Sequence, residues 1–284
     1  MTTRRSLVAG AVVRLREAGV ASPEYDAETL LAHALGIPRS RLALVEDVDA
    51  PTATGYDALV TRRAAREPLQ HLTGVAGFRT VELAVGPGVF VPRPETELLA
   101  GWAVEACVGL DAPVVVDLCT GSGAIARAVT AEVPGARVHA VELDPGAHAW
   151  AERNLAGTGV DLRLGDFATA FDDLLGEVDV VTCNPPYIPL EAWESVAAEA
   201  RDHDPALALW SGQDGLDAIR TLAVRAALLL RPGGVLGCEH ADAQGEAAPA
   251  VFRATGRWTR VEDHRDLAGR PRFVTARLAP VSEA

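Results

Sequence analysis

Lysine is absent from the chain, so all 26 basic residues are arginine, and 39 acidic residues outnumber them. The resulting net charge of −13 makes the protein a poor electrostatic match for the phosphates of a nucleic acid. No apolar run reaches the ~20 residues that a membrane span needs. The first residues also lack the apolar segment and cleavage site of a signal peptide. We therefore expect a cytoplasmic protein without a membrane or direct nucleic-acid partner. We also expect a monomer.

Cysteine is scarce, and the four cysteines lie far apart without a CxxC pair: Cys107, Cys119, Cys183 and Cys238. Zinc and iron–sulfur sites need clustered thiolates, and disulfide frameworks are typical of small secreted chains that are dense in cysteine. The spacing therefore predicts buried free thiols and no metal site.

Residues 1–73 have the pattern of a small helical domain. Apolar residues recur at helical spacing in 7–15 and again in 30–35. Pro23 precedes an acid-rich first turn, as at a helix start, and another helix is predicted for 53–66. The domain serves either for packing alone or for docking a substrate. Because it precedes a catalytic core, we assign it as a substrate-docking domain.

Residues 74–95 have a different pattern, which predicts a β-hairpin linker. Apolar residues between Phe78 and Val85 alternate with polar or small ones, and glycines bound them. An extended segment follows, in which two prolines flank Arg93 and fix the direction of its side chain. A helix is expected after Glu97.

Residues 96–284 predict an α/β domain. Five runs predict buried strands: Val114–Leu118, Arg137–Leu143, Asp161–Leu164, Val178–Cys183 and Gly234–Glu239. Helices between them, notably 145–155 and 216–230, indicate a Rossmann-like, doubly wound and mostly parallel sheet. Two final strands, 258–263 and 272–278, have no helix between them. The expected fold is therefore a seven-stranded sheet with an antiparallel C-terminal edge pair.

A glycine-rich loop, 117–123, follows the first buried strand and opens a helix. Gly121 and Gly123 allow a sharp turn and a close approach of the backbone to a ligand. Ligands of such sheets bind at the carboxyl ends of the strands, so we expect cofactor contacts from Cys119, Thr120, Gly121, Ser122 and Gly123. Taken alone, the loop fits a methyltransferase, an NAD enzyme, because Ala126 completes a G-x-G-x-x-A pattern, or a tight turn without a ligand.

Acidic residues follow the next two strands. Glu142 ends the second strand, where a carboxylate can accept both hydroxyls of an adenosine ribose. Asp166 follows the third strand and, with Phe167, is positioned to border an adenine ring. For Asp166 alone, a solvated loop carboxylate remains the alternative.

The tetrapeptide Asn184-Pro185-Pro186-Tyr187 follows the fourth buried strand and indicates the chemistry. An amide or aromatic amine is a poor nucleophile, so catalysis must orient its nitrogen and stabilise the charge that it gains. The Asn184 side-chain oxygen and the Pro185 carbonyl can accept its two N–H groups. The prolines add no competing N–H and stiffen the loop, and Tyr187 offers a flat face. This combination favours methyl transfer to a planar NH₂ group.

Together these motifs resemble class I methyltransferases, and most closely the release-factor glutamine methyltransferases, the HemK/PrmC family, especially its actinobacterial members. The resemblance covers essentially the whole chain and is carried by residues 90–97, 117–123, 184–187 and 265–270. It implies N5-methylation of the glutamine in the GGQ motif of peptide chain release factors, with S-adenosylmethionine as cofactor.

The resemblance also implies roles for particular residues. S-adenosylmethionine would contact the loop 119–123, Glu142 and Phe167, and residues 184–187 would hold the glutamine, with Asn184 also near the cofactor. Phe90 and Arg93 would line the pocket. The alternatives are a core aromatic for Phe90 and a surface salt bridge for Arg93.

The sequence departs from the family pattern at two positions. Cys119 replaces the first glycine of the loop, so we expect a backbone conformation that suits a residue with a Cβ, and a packing role rather than a reactive thiol. Phe167 replaces a frequent tryptophan, which keeps an apolar wall but loses the indole N–H.

Four other functions remain to be weighed. A ribosomal-protein glutamine methyltransferase would share the chemistry and differ in its docking domain. A DNA adenine-N6 methyltransferase would need a basic groove and aromatic platforms, which the net charge of −13 and only three tyrosines disfavour. An NAD-dependent oxidoreductase or a non-catalytic binding module would leave the tetrapeptide at 184–187 without a purpose.

Overall fold

The computed structural model describes residues 2–195 and 198–280, which form two compact units. The first unit contains the described residues 2–75, 85–87 and 198–203. The second contains 76–84, 88–195 and 204–280. Each unit has its own buried apolar residues.

The first unit is helical, as its periodicity predicts. Its strands and first α-helices are β1 (Thr2–Thr3), α1 (Arg4–Glu17), α2 (Pro23–Ala34), β2 (Asp47–Val48), α3 (Ala50–Ala64) and α4 (Leu69–Thr73), and a 3-10 helix covers Arg39–Leu44. The predicted start of α2 at Pro23 is confirmed. Helix α3 begins three residues earlier than predicted, because the Asp49 carboxylate accepts the Thr52 N–H over 2.8 Å and Pro51 fits its first turn.

The first unit contains a buried ion pair between Arg63 and Asp26. Arg63 donates to Asp26 over 2.7 Å, and both side chains are buried. Arg63 and Arg66 also donate to the two carboxylate oxygens of Glu199, over 3.1 and 2.6 Å. Through Glu199, the short helix 198–203 is held within the first unit although it follows the tetrapeptide in the chain.

The predicted hairpin is present, because strands Val75–Phe78 (β3) and Val81–Ala84 (β4) pair in a two-stranded sheet. The helix expected after Glu97 begins at Thr96. The remaining elements are α5 (Thr96–Ala106), β5 (Val114–Leu118), α6 (Ala124–Glu132), β6 (Arg137–Glu142), α7 (Pro145–Leu155), β7 (Asp161–Leu164), β8 (Val178–Cys183), α8 (Ala198–His203), α9 (Asp217–Leu229), β9 (Leu230–Glu239), α10 (Ala247–Ala254), β10 (Trp258–Arg265) and β11 (Pro271–Leu278).

The predicted seven-stranded sheet is confirmed, with the strand order β10-β11-β9-β8-β5-β6-β7. Strands β5 to β9 pair in parallel. Strands β10 and β11 pair antiparallel, and β11 also runs antiparallel to β9. Every residue of β5 is buried, as a central strand covered on both faces requires.

The topology determines where the candidate site lies. The chain runs from β5 outward through β6 to β7 and then returns to β8 on the other side of β5. The carboxyl ends of β5, β6 and β8 therefore meet at one edge of the sheet, at a topological switch point. The glycine-rich loop, Glu142 and the tetrapeptide all lie at this edge.

Among the helices in the described part of the chain, none has the length and apolar character needed to cross a membrane.

Candidate active site

Asp117 joins the glycine-rich loop to the strand that carries the tetrapeptide. Its carboxylate accepts the Thr120 hydroxyl over 2.6 Å and the Thr182 hydroxyl over 2.9 Å. Burial raises the pKa of Asp117 to about 6 despite these bonds. The Thr120 N–H also donates to the carbonyl of Val141 in β6. The loop is thus fixed to both neighbouring strands.

The expectation for the Cys119 backbone is wrong. Cys119 has a φ of 63°, in the left-handed region that glycine adopts without strain. Gly121 and Gly123 share this region, with φ of 57° and 83°. The loop therefore keeps the conformation that a glycine would take at position 119, and the cysteine side chain is tolerated there at a cost of about 1–2 kcal/mol.

The cysteine side chains agree with the sequence prediction of free thiols. Cys107, Cys183 and Cys238 are buried, and Cys119 is half-buried against the main apolar core. Burial raises the pKa of both Cys183 and Cys238 well above the usual thiol value. These two thiols are therefore protonated and poorly reactive.

Glu142 connects the glycine-rich loop to the turn after β6. Its Oε2 accepts the Gly121 N–H over 2.8 Å, and its Oε1 accepts the N–H groups of Leu143 and Asp144, each over 2.9 Å. A carboxylate has about four acceptor positions, so one remains for a further donor. Accepting two ribose hydroxyls, as the sequence suggested, requires one of these three bonds to yield.

Asp166 and Phe167 lie beyond the end of β7, as their sequence position indicates. Asp166 is exposed, and its carboxylate accepts the Ala168 N–H over 2.8 Å, which starts a tight turn. Phe167 is half-buried and packs against the main core. The apolar wall at position 167 is therefore present, whereas the Asp166 carboxylate has a local role in the turn.

The tetrapeptide lies directly after β8, with Pro185 buried and Asn184, Pro186 and Tyr187 half-buried. The Asn184 Nδ2 donates to Thr96 Oγ1 over 3.4 Å. The Tyr187 hydroxyl donates to the Glu239 carboxylate over 3.3 Å, and the backbone carbonyl of Tyr187 accepts from the Gln244 side chain over 3.0 Å. Both ends of the tetrapeptide are thus held by side chains from distant parts of the chain.

Glu239 is the central residue of this support and was not identified as a site residue from sequence. It ends β9, next to the strand that precedes the tetrapeptide, and it is 1% exposed. Thr96 Oγ1 donates to its carboxylate over 2.7 Å. Burial raises the pKa of Glu239 to about 7, while Thr96 and the nearby Arg272 oppose that shift. The sequence contained one signal for this role, a carboxylate at the end of the predicted apolar strand Gly234–Glu239.

Phe90 and Arg93 lie together. The Arg93 guanidinium lies 4.8 Å from the centre of the Phe90 ring, in a cation–π contact. Arg93 also donates to Asp204 over 2.7 Å. The salt bridge considered for Arg93 is therefore present, but only the Arg93 side chain is partly exposed, at 31%, whereas the Asp204 side chain is fully buried. Burial is the main cause of the raised pKa of Tyr187, and the positive charge of Arg93 lowers that pKa. Arg93 is therefore close enough to act electrostatically on the tetrapeptide.

Two parts of the chain match known protein families. Residues 6–74 match the PrmC N-terminal domain family, and residues 115–203 match a methyltransferase domain family. Among solved structures, the chain resembles the hMettl16 catalytic domain with a TM-score of 0.54 and 16% identity, over 83% of this chain and 84% of that chain. This likeness supports the methyltransferase fold alone.

Curated relatives match over nearly the whole length. A release factor glutamine methyltransferase from Streptomyces coelicolor is 58% identical over 96% of this chain and 97% of its own. One from Mycolicibacterium smegmatis is 48% identical over 97% and 98%. A 4-amino-L-phenylalanine/4-methylamino-L-phenylalanine methyltransferase from Streptomyces pristinaespiralis is 44% identical over 87% and 86%. On these matches, the chain belongs to the release factor glutamine methyltransferase family.

Proposed function

We propose that the protein transfers a methyl group from S-adenosylmethionine to the side-chain amide nitrogen of the GGQ glutamine in peptide chain release factors, in the cytoplasm. The observation that carries the proposal is the position of the tetrapeptide 184–187, which follows β8 beside the glycine-rich loop after β5. The Streptomyces coelicolor and Mycolicibacterium smegmatis relatives are both named release factor glutamine methyltransferase, which supports a release factor as the substrate.

The residues at the carboxyl edge of the sheet fit S-adenosylmethionine. A Cβ built on Gly121 meets no heavy atom within 4 Å among the described residues, so the loop leaves room for a ligand against its backbone. The loop 119–123 would hold the amino acid part, Glu142 one ribose hydroxyl and Phe167 the adenine. Asp166 would contribute by holding the turn that presents Phe167.

The tetrapeptide would act on the acceptor nitrogen. S-adenosylmethionine supplies a methyl group activated by a sulfonium. Asn184 Oδ1 and the Pro185 carbonyl would each accept one N–H of the glutamine amide, and Tyr187 would cover its plane. Holding both N–H groups aims the nitrogen at the methyl and stabilises the positive charge as the C–N bond forms and the S–C bond breaks. One N–H proton then leaves to solvent.

We propose the same division of the chain as the sequence suggested: residues 1–73 dock the substrate, 74–95 link, and 96–284 catalyse. Arg93 and Phe90 would line the glutamine pocket. The match of the PrmC N-terminal domain to residues 6–74 supports a family-specific role for this region.

An aromatic amine is the competing acceptor, because it also presents a planar NH₂ group and one relative is named for such a substrate. A ribosomal-protein glutamine is the other. The test incubates the purified protein with methyl-labelled S-adenosylmethionine and release factors, wild type or with the GGQ glutamine changed to alanine. Ribosomal proteins and 4-amino-L-phenylalanine are offered in parallel.

Peptide mass spectrometry then locates the label. We expect a single added methyl on the GGQ glutamine of the wild-type release factor and none on the alanine variant. Label on 4-amino-L-phenylalanine or a ribosomal protein, with none on the release factor, would overturn the proposal.

A further inference from the structure

Glu239 and Thr96 form a buried pair behind the tetrapeptide. Thr96 is 4% exposed, and its Oγ1 lies 2.7 Å from Glu239 Oε2 and 3.4 Å from Asn184 Nδ2. A threonine hydroxyl has one hydrogen to donate and two acceptor positions. When the Glu239 carboxylate takes that hydrogen, Thr96 can only accept from Asn184.

This direction determines which way the Asn184 amide points. The amide carries a donor NH₂ on one side and an acceptor oxygen on the other. With Nδ2 bonded to Thr96, Oδ1 lies on the opposite side of the amide. The acceptor assigned to the substrate nitrogen is Oδ1, so the chemistry depends on the amide not being turned over. The 3.4 Å distance from Asn184 Nδ2 to Thr96 Oγ1 is long for a hydrogen bond.

We propose that Glu239 and Thr96 are positioning residues for methyl transfer: ionised Glu239 takes the Thr96 hydroxyl hydrogen, which makes Thr96 an acceptor for Asn184 Nδ2 and presents Asn184 Oδ1 to the substrate amide. The inference rests on the proposed function, because it assigns Oδ1 of Asn184 to the acceptor glutamine. Neither residue touches the reacting atoms.

The same carboxylate also holds the other end of the tetrapeptide. Tyr187 donates its hydroxyl to Glu239 Oε1 over 3.3 Å. One carboxylate therefore fixes the Asn184 amide through Thr96 and the Tyr187 ring directly. Loss of its charge would affect both groups at once.

Charged groups from several elements surround Glu239. Arg272 on β11 and Glu95 before α5 act on it electrostatically, the first lowering and the second raising its pKa. Asp266 accepts from Arg272 over 3.2 Å and so keeps that guanidinium in place. The neighbouring His240 bonds to the Ala241 carbonyl and to Asp263, and burial lowers its pKa. The motif at 265–270 thus supports the site through Asp266.

The charge state of Glu239 is therefore sensitive to pH near neutrality. Burial is the largest cause of its raised pKa of about 7. A protonated Glu239 can donate to Thr96, whose own hydrogen can then be directed at Asn184. That reversal favours the amide oxygen facing Thr96, which is the wrong orientation for catalysis. Methyl transfer should rise as pH increases through about 7.

The experiment compares Thr96→Val, Thr96→Ser and Glu239→Gln with the wild type, using the release factor as substrate. Valine keeps the shape of threonine and removes the hydroxyl, whereas serine keeps the hydroxyl. Thr130→Val on α6 is the matched control, because its hydroxyl donates to the Ala126 carbonyl of the same helix, over 2.9 Å. Melting temperature and S-adenosylmethionine affinity are measured for each variant.

We expect Thr96→Val to lower kcat roughly tenfold, as loss of one buried hydrogen bond would, with KM and cofactor affinity unchanged. Thr96→Ser should restore most of kcat, and Thr130→Val should match the wild type. The wild-type kcat should show an ionisation near pH 7 that Glu239→Gln removes.

The outcomes separate this inference from the proposed function. If the wild type methylates the release factor but Thr96→Val has wild-type kcat, or serine is no better than valine, the positioning role is wrong and the function stands. An ionisation near 7 that persists in Glu239→Gln also overturns the role. A wild type that does not methylate the release factor overturns both.

Discussion

The backbone N–H of Gly121 donates to the Glu142 carboxylate over 2.8 Å, which joins the glycine-rich loop after β5 to the end of β6. The same carboxylate accepts two N–H groups from the turn that follows it. Glu142 therefore holds the two segments that border the proposed ribose site, the glycine-rich loop and the turn after β6.

Replacing Glu142 with alanine should weaken S-adenosylmethionine binding by about 1–3 kcal/mol, because three backbone donors and a ribose hydroxyl lose their acceptor. Isothermal calorimetry measures the effect. Glu152→Ala is the matched control, because Glu152 is exposed on α7, and its affinity should equal that of the wild type. Unchanged affinity in Glu142→Ala would refute the contact.

Gly215 is packed against the tetrapeptide. A Cβ built there would lie 2.3 Å from the Tyr187 carbonyl oxygen and 2.7 Å from Gln244 Nε2, and the φ of Gly215 is 75°. We expect Gly215→Ala to displace Tyr187 and so to lower kcat. The variant should also lose about 1–2 kcal/mol of stability, because alanine is strained in the left-handed region.

The control for that variant is Gly256→Ala. Gly256 has a similar φ of 68°, and a Cβ there meets nothing within 4 Å among the described residues. It should lose comparable stability from backbone strain but keep wild-type kcat. Equal kcat in the two variants would mean that Gly215 is not required to seat Tyr187.

Stability should depend on pH through Glu239. Its pKa is about 7 in the folded protein against an ordinary value of 4.5, so the folded state holds the proton more tightly. This contribution is fully present below about pH 4.5 and is lost as pH rises through about 7. Its size is about 3 kcal/mol.

Urea unfolding at about pH 5 and about pH 8 measures this dependence. Between these pH values, Glu239→Gln should lose less stability than the wild type. Asp117, whose pKa is raised to about 6, contributes in both proteins and cancels in the comparison. Parallel pH dependence of the two proteins would show that Glu239 does not titrate differently on folding.

The buried ion pair between Asp26 and Arg63 should contribute strongly to the stability of the first unit. Asp26→Ala leaves the Arg63 guanidinium buried with only part of its partners, and we expect a loss of about 3–5 kcal/mol in the free energy of unfolding. Asp57→Ala is the control: Asp57 pairs with Arg14 and is 67% exposed, so its loss should cost at most about 1 kcal/mol. Similar losses would contradict the importance of burial.

The sheet could be predicted largely from sequence because its strands are short, mostly apolar segments that alternate with helices. β5, β7 and β8 have the predicted bounds. β9 begins at Leu230, four residues before the predicted Gly234. The sequence Pro232-Gly233-Gly234 has the composition of a turn, and strand pairing by residues on either side overrides that local signal.

The support of the tetrapeptide could not be predicted in the same way. Thr96 and Glu239 are 143 positions apart, and no local pattern relates them. The left-handed backbone at Cys119 was also missed, because the loop keeps its geometry through bonds to β6 and β8 rather than through the residue type at 119. The partner of Arg93 could not be predicted from local sequence either, because Asp204 is 111 positions away in the chain.

Single-turnover methyl transfer by Asn184→Ala, measured beside its affinity for S-adenosylmethionine, tests the central claim most directly. If the Asn184 side chain holds the acceptor amide, transfer to the release factor should fall by at least about 100-fold. Cofactor affinity should stay within about threefold of the wild type. A loss of transfer no larger than the loss of cofactor affinity would contradict the account.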